Sequence, residues 1–414
     1  MNDPKATEQL QKPWQNRADL PAVAAKHRVP AAIACFVCAL VIPLATNETY
    51  ARILTAVLFV CVVFFVRTRT HVGITLVAAL LISLVLGFSG AAVFLAIVLG
   101  IALTAYLITI FERSYLAVLL PLLAFGAAYL WTRDLLLSSA ALIFLPAAIL
   151  LAVATLWEKG RTTAICFAIA GLLISALAIT AVMIDRTQGG LTSETIRSAV
   201  ENGREFVVTQ LISARDSLLA ATSGVEMDEQ MREAYDQLRV TMSDDVLRTT
   251  VGILFNVVPA LVTMLCSILA FLAQMILNAT YRRTGLDKVL TPAATTFTMS
   301  GTAAVLYMIA FVLILLVSDS TMAGAVIQNV ALILTPGFCV MGIYDLRQML
   351  LRMRNHSRMW FVIFLGASLC LCSGASALYV LAMWGAYGVV MHLLKEKLMQ
   401  KMQDAAGGNH QDRD

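Results

Sequence analysis

Residues 249–280 form a run of 32 positions without one ionisable side chain. A hydrocarbon core about 30 Å thick is crossed by roughly 20 apolar residues in a helix. Backbone in lipid must satisfy its own N–H and C=O groups, which a helix does within one segment. Comparable runs recur at 30–46, 50–66, 72–88, 91–111, 115–131, 135–157, 162–184, 299–318 and 322–344. A final apolar stretch, 359–394, is interrupted by Cys372, Ser373 and Gly374 and reads as one long helix or two short ones. The chain is therefore expected to be all-α, a polytopic transmembrane helical bundle of 11–12 spans.

Hydrophobic residues make up 59% of the chain and charged ones 14%, against about 45–50% and 25% in soluble domains. That leaves too little polar surface for a water-soluble globule of 414 residues. The net charge is only +4, which argues against nucleic acid as a partner and for the lipid bilayer.

Orientation follows from where Lys and Arg sit. The polar segment 1–29 holds Lys5, Lys12, Arg17, Lys26 and Arg28 with no clear small-residue cleavage site, so the first span reads as an uncleaved signal anchor with a cytoplasmic N-terminus. On that assignment the short inner loops carry twelve basic residues, from Arg67 and Arg69 through Arg113, Lys159, Arg161, Arg282, Arg283 and Lys288 to Arg347, Arg352, Arg354 and Arg358. The outer ones carry Arg52 and Arg133. Twelve spans keep Lys395, Lys397 and Lys401 inside as well. The expected location is a bacterial cytoplasmic membrane.

Between the seventh and eighth runs lies a polar segment, 185–248, with seven Arg, no Lys and twelve acidic residues. Ile196, Val200, Val207, Leu211 and Leu218 recur at helical spacing, as do Met227, Met231, Tyr235, Leu238 and Met242, with Gly224 between the stretches. This predicts an external amphipathic helical hairpin, or a helix lying on the membrane surface. Five segments result: a cytoplasmic tail 1–29, an N-terminal membrane bundle 30–184, an extracytoplasmic acidic helical segment 185–248, a C-terminal membrane bundle 249–395, and a disordered tail 396–414.

No phosphate-binding loop, zinc-protease helix, nucleophile elbow or dinucleotide fingerprint is present in the sequence. The eight cysteines all fall in the apolar runs, where a thiol packs as a small apolar group. Cys35 and Cys38 have CxxC spacing but no second pair or nearby His, so the chain is read as a non-enzyme without metal or cofactor.

The eighth span carries the sharpest polar pattern. At about 100° per residue, Asn256, Thr263, Ser267, Gln274 and Asn278 fall within roughly 60° of one another, opposite a face of Leu, Ile, Val, Phe and Met. Amides facing lipid lose their hydrogen bonds to water, so the stripe must face protein or a wet cavity. Helix packing by hydrogen-bonding residues and a small-molecule cavity shared with Asn329 of the tenth span are both open. Pro336 and Gly337 are a candidate helix break of the kind that exposes carbonyls to a ligand.

A long span ending in Asn278, the basic turn Tyr281-Arg282-Arg283-Thr284-Gly285, a span, Asn329 in the next, and an apolar stretch to Gly342 follow one another over residues 245–395. In this run the chain resembles the YybS-like family of bacterial integral membrane proteins, whose function is not established. That resemblance implies a fold related to the substrate-binding components of energy-coupling-factor vitamin transporters. Met341 stands where that family usually has Gln, and Thr295, Thr296 and Thr298 replace an aromatic-rich segment. The functional expectation is a transporter-like small-molecule binding component relying on partner subunits. The alternative is a scaffold whose external segment docks membrane or envelope proteins.

Overall fold

The computed structural model describes residues 27–44, 53, 89–111, 115–157, 159–222, 242–285, 297–314, 316–317, 321–352 and 375–408. Every regular element among these residues is a helix. Seven helical stretches are long and apolar enough to cross a membrane: Val93–Ile110, Tyr115–Thr132, Leu135–Leu156, Arg161–Gln188, Asp244–Thr284, Met322–Met349 and Ala377–Met399. The chain is thus a multi-pass helical membrane protein. Expected spans 50–66 and 72–88, the second helix of the acidic segment, and the choice between 11 and 12 spans lie outside the described residues.

The chain divides into two compact units, residues 1–183 with 265–298, and residues 184–264 with 299–414. In the first, α1 (Arg28–Leu44) packs on α2 (Ser89–Ile110) through a face of small side chains. Ala31, Cys35 and Ala39, four residues apart, are fully buried, and the Cys35 sulfur lies 3.0 Å from Oγ1 of Thr104. Helix α2 is apolar all round and correspondingly buried nearly all round, which makes it the core of this unit. Helix α3 (Tyr115–Thr132) turns Leu119, Leu122, Leu123 and Leu130 outward, as a lipid-facing helix does.

The run 135–157 is one apolar stretch in sequence but not one helix. Asp134 caps α4 (Leu135–Ser139) by accepting the N–H of Leu136 at 2.8 Å and of Leu137 at 3.2 Å. A 3-10 turn at Ala140–Leu142 follows, and the helix restarts as α5 (Leu145–Leu156). The cause is Pro146, which has no N–H to give the Leu142 carbonyl and fits the first turn of a new helix. Helix α6 (Arg161–Gln188) then meets α5 backbone to backbone, since a Cβ on Gly171 would fall 2.5 Å from the Ala147 nitrogen.

In the second unit α7 (Ser193–Thr222) pairs with the first half of α8 (Asp244–Thr284). Arg248 Nη1 binds Glu205 Oε1 at 2.7 Å, Arg204 Nη2 donates to the Arg248 carbonyl at 3.3 Å, and Arg215 Nη1 reaches Asp244 Oδ1 at 2.5 Å. The face of α7 turned inward carries these groups and the fully buried Val208. Ile196, Val200, Leu211 and Leu218, expected to pack against a partner face, are exposed. Charged contacts to α8 take the inward side because the first turns of α8 are themselves polar, with Asp244, Asp245 and Arg248.

The same unit holds α9 (Gly301–Ile314), α10 (Met322–Arg352) and α11 (Ala375–Gly408). Ala304, Tyr307, Ala331, Phe338, Ala382 and Ala386 form their core, with the Tyr307 and Phe338 rings 5.1 Å apart. A Cβ on Gly385 would meet the Phe338 carbonyl oxygen and fall 2.6 Å from the Gly342 nitrogen, so α10 and α11 touch without side chains between them. Small residues let helix backbones close to this distance, where dispersion is strongest.

Three boundaries differ from the sequence reading. Helix α10 runs through Pro336 and Gly337, so the candidate break there is not a break. Gly337 instead makes room for Met299, whose sulfur would lie 2.9 Å from a Cβ at that position. Helix α11 continues to Gly408, into the segment expected to be disordered, over a stretch rich in Leu, Met, Gln, Lys and Ala, all good helix formers. Finally, α8 does not fall within one C-terminal bundle: its residues from Leu265 onward belong to the first unit and those to Met264 to the second.

Candidate functional site

That division separates the polar stripe of α8. Gln274, 3% exposed, belongs to the first unit, where its Oε1 accepts the Nε–H of Arg161 at 2.8 Å. The Arg161 guanidinium lies 5.3 Å from the centroid of the Phe271 ring, and that ring meets Phe297 edge-on at 5.9 Å. Arg161, expected in a solvated inner loop, is the buried first residue of α6. Buried charge requires hydrogen-bonding partners, and the Gln274 amide and the Phe271 face supply them here.

Asn256 and Asn329 meet within the second unit, though not as two amides lining one cavity. Asn329 Nδ2 donates to the Asn256 backbone carbonyl at 3.0 Å, and the Asn256 side chain is itself exposed. Thr263 turns its hydroxyl back onto the Pro259 carbonyl at 2.8 Å, within its own helix. Ser267 and Asn278 are half-buried. The stripe is thus shared among separate contacts, and its members are not collected around a single void.

A cleft of about 320 Å³ does lie in the second unit, on the neighbouring positions. Val257 of α8, Phe311 and Ile314 of α9, Gln328 and Leu332 of α10, and Tyr379 of α11 line it. Helical geometry explains the set: Gln328 and Leu332 are one turn apart on α10, as are Phe311 and Ile314 on α9. The Phe311 and Tyr379 rings are 6.3 Å apart and inclined at 47°. Gln328 sits beside Asn329, whose Oδ1 is buried without a hydrogen-bond partner. A void of this size is at the lower end of the range for small-molecule sites, and its walls offer two rings, three aliphatic side chains and one amide.

The sequence singles out Asn329 and the stripe but not Phe311, Leu332 or Tyr379, which are ordinary apolar span residues until four helices converge. Among the described residues no group of three or more His, Cys, Asp or Glu side chains is arranged to hold a metal ion.

All-helical architecture and apolar spans define the class: an integral, multi-pass membrane protein. Comparison with known protein families, curated proteins and solved structures returns no match for this chain.

Proposed function

We propose that this protein is a membrane binding component that holds a small, largely apolar molecule in the cleft of its second unit. The observation that carries this reading is the void among Val257, Phe311, Ile314, Gln328, Leu332 and Tyr379. Its walls favour an uncharged body that stacks or slides against the Phe311 and Tyr379 rings, and the Gln328 amide and the Tyr379 hydroxyl are the polar groups of its lining residues. Resemblance of residues 245–395 to the YybS-like family, with its implied relation to substrate-binding components of vitamin transporters, supports the same reading. With no nucleotide-binding motif in the sequence, energy for transport would come from partner subunits. A bacterial cytoplasmic membrane with the N-terminus inside is part of this proposal and rests on the distribution of Lys and Arg.

Filling the cleft tests it. Mass spectrometry of the purified full chain should find a small molecule retained by the parent and lost from Leu332→Trp, with both proteins unfolding at similar temperatures. Equal small-molecule content in the two, or none in either, overturns the reading.

One observation favours a scaffold as the second reading. Ile196, Val200, Leu211 and Leu218 stand exposed along one side of α7, a helix otherwise rich in charge. An apolar stripe of that length is uncommon on a free polar surface.

A further inference from the structure

Gln328 and Asn329 are adjacent amides on α10, and the structure uses them differently. Asn329 Nδ2 donates to the Asn256 carbonyl at 3.0 Å, a bond that ties α10 to α8. Gln328, which lines the cleft, has no hydrogen-bond partner among the described residues. Two tyrosines of the unit divide in the same way. The Tyr307 hydroxyl lies 3.4 Å from Oγ1 of Thr335, between α9 and α10, whereas the hydroxyl of Tyr379, also in the lining, has no hydrogen-bond partner among the described residues.

Amides and hydroxyls in membrane helices are ordinarily spent on bonds to neighbouring helices, and polar side chains left over mark cavities and pathways. Gln328 and Tyr379 are half-buried, and neither has a polar atom sealed away without a partner, unlike Oδ1 of Asn329. Their polar groups are therefore open to whatever fills the cleft.

The cleft lies at one end of these helices. Ile314 is the last residue of α9, Gln328 lies in the second turn of α10, and Tyr379 lies in the second turn of α11. On the orientation proposed above this is the outer end, so a molecule with a polar edge can reach Gln328 without crossing the apolar interior. Among the described lining residues there is no Asp, Glu, His, Lys or Arg. A charged ligand would lose its hydration there and meet no countercharge.

We infer that the cleft selects an uncharged, flat ring compound with an amide-like edge, a ring C=O beside a ring N–H, and that Gln328 is the residue that selects it. The inference rests on the binding reading given above. A glutamine side chain presents an acceptor and a donor side by side, and an edge with N–H next to C=O satisfies both at once. A wholly apolar ligand would leave both unpaired in the occupied cleft, which weakens binding. The flat body of such a compound suits the faces of the Phe311 and Tyr379 rings.

The test is equilibrium dialysis of the full chain purified in detergent, against a protein-free micelle control, with 2-quinolone, N-methyl-2-quinolone and naphthalene as probes. 2-Quinolone carries the edge on a flat bicyclic body, methylation removes its N–H, and naphthalene keeps only the body. The parent should bind 2-quinolone about tenfold more tightly than naphthalene, as two neutral hydrogen bonds allow, and more tightly than the methylated compound. Gln328→Met keeps the length of the side chain without its amide. It should unfold at the parent's temperature, because Gln328 holds no other helix, and should bind all three probes alike. Tyr379→Phe should preserve the parent's order of affinities. A preference that survives Gln328→Met, or is lost in Tyr379→Phe instead, overturns the role of Gln328. Equal binding of the three probes by the parent, with loss from Leu332→Trp, overturns the amide-edge ligand and leaves the cleft reading standing. Binding unchanged in Leu332→Trp, or no binding of any probe by the parent, overturns the cleft reading and this inference with it.

Discussion

Gln274 and Arg161 meet through a 2.8 Å hydrogen bond although 113 positions separate them in the chain. The bond joins the second half of α8 to the first turn of α6 and lies beside the Phe271 ring. Gln274 is therefore a structural partner of a buried cation.

Gln274→Leu should consequently cost more than an ordinary interhelical hydrogen bond. Neutral pairs in membrane helices average about 0.6 kcal/mol, whereas bonds to charged groups are worth about 1.5–3 kcal/mol. Reversible unfolding of the purified variant should show a loss within the second range. Arg161→Leu with Gln274→Leu together should cost less than the two single losses added. Strict additivity in that cycle would show that the two side chains do not cooperate.

Glycines at backbone contacts should tolerate no methyl group. Gly171→Ala and Gly385→Ala each force a Cβ into the backbone of a facing helix, so each should destabilise by about 1–3 kcal/mol. Gly126→Ala, with nothing within 4 Å of the added carbon, should be neutral or gain up to about 1 kcal/mol from helix propensity. Unfolding midpoints of the three variants, compared side by side, check the ordering.

Asn329→Leu removes the donor to the Asn256 carbonyl while roughly keeping volume. It also removes the unpartnered Oδ1, so the two effects oppose one another. The net loss should stay below about 0.6 kcal/mol. A loss several times larger would mean that Oδ1 has an acceptor role in the folded protein.

Orientation can be read by labelling. In a background lacking the eight cysteines, Ser213→Cys on the exposed side of α7 should react with an impermeant thiol reagent in intact cells. Glu396→Cys on α11 should react only after lysis. The reverse pattern would invert the arrangement inferred from the basic residues.

Hydropathy and helical period are local properties, and they determined a good deal about this chain. They placed several of the described spans near their observed limits, as at residues 115–131 against Tyr115–Thr132, and made α7 an amphipathic helix. Ala31, Cys35 and Ala39 recur one helical turn apart in the sequence, a spacing of small residues that suits close contact, and all three are buried. The break inside 135–157, at Pro146, was missed because the run was read as one span, while the break expected at Pro336 is absent from α10, because one proline is accommodated where the neighbouring helices hold the chain in line.

Lateral arrangement was beyond the sequence for a physical reason. Lipid tails are as apolar as Leu, so the hydrophobic effect that inserts a helix does not choose its neighbour. Close packing of small residues and particular hydrogen bonds do that. The sequence showed a polar stripe on α8, but only the tertiary structure assigned Gln274 to Arg161 and the Asn256 carbonyl to Asn329. It likewise took the convergence of α8, α9, α10 and α11 to turn Phe311, Leu332 and Tyr379 into the walls of a cleft. Membership of a helix face is fixed by the period of 3.6; what that face meets is fixed by shape.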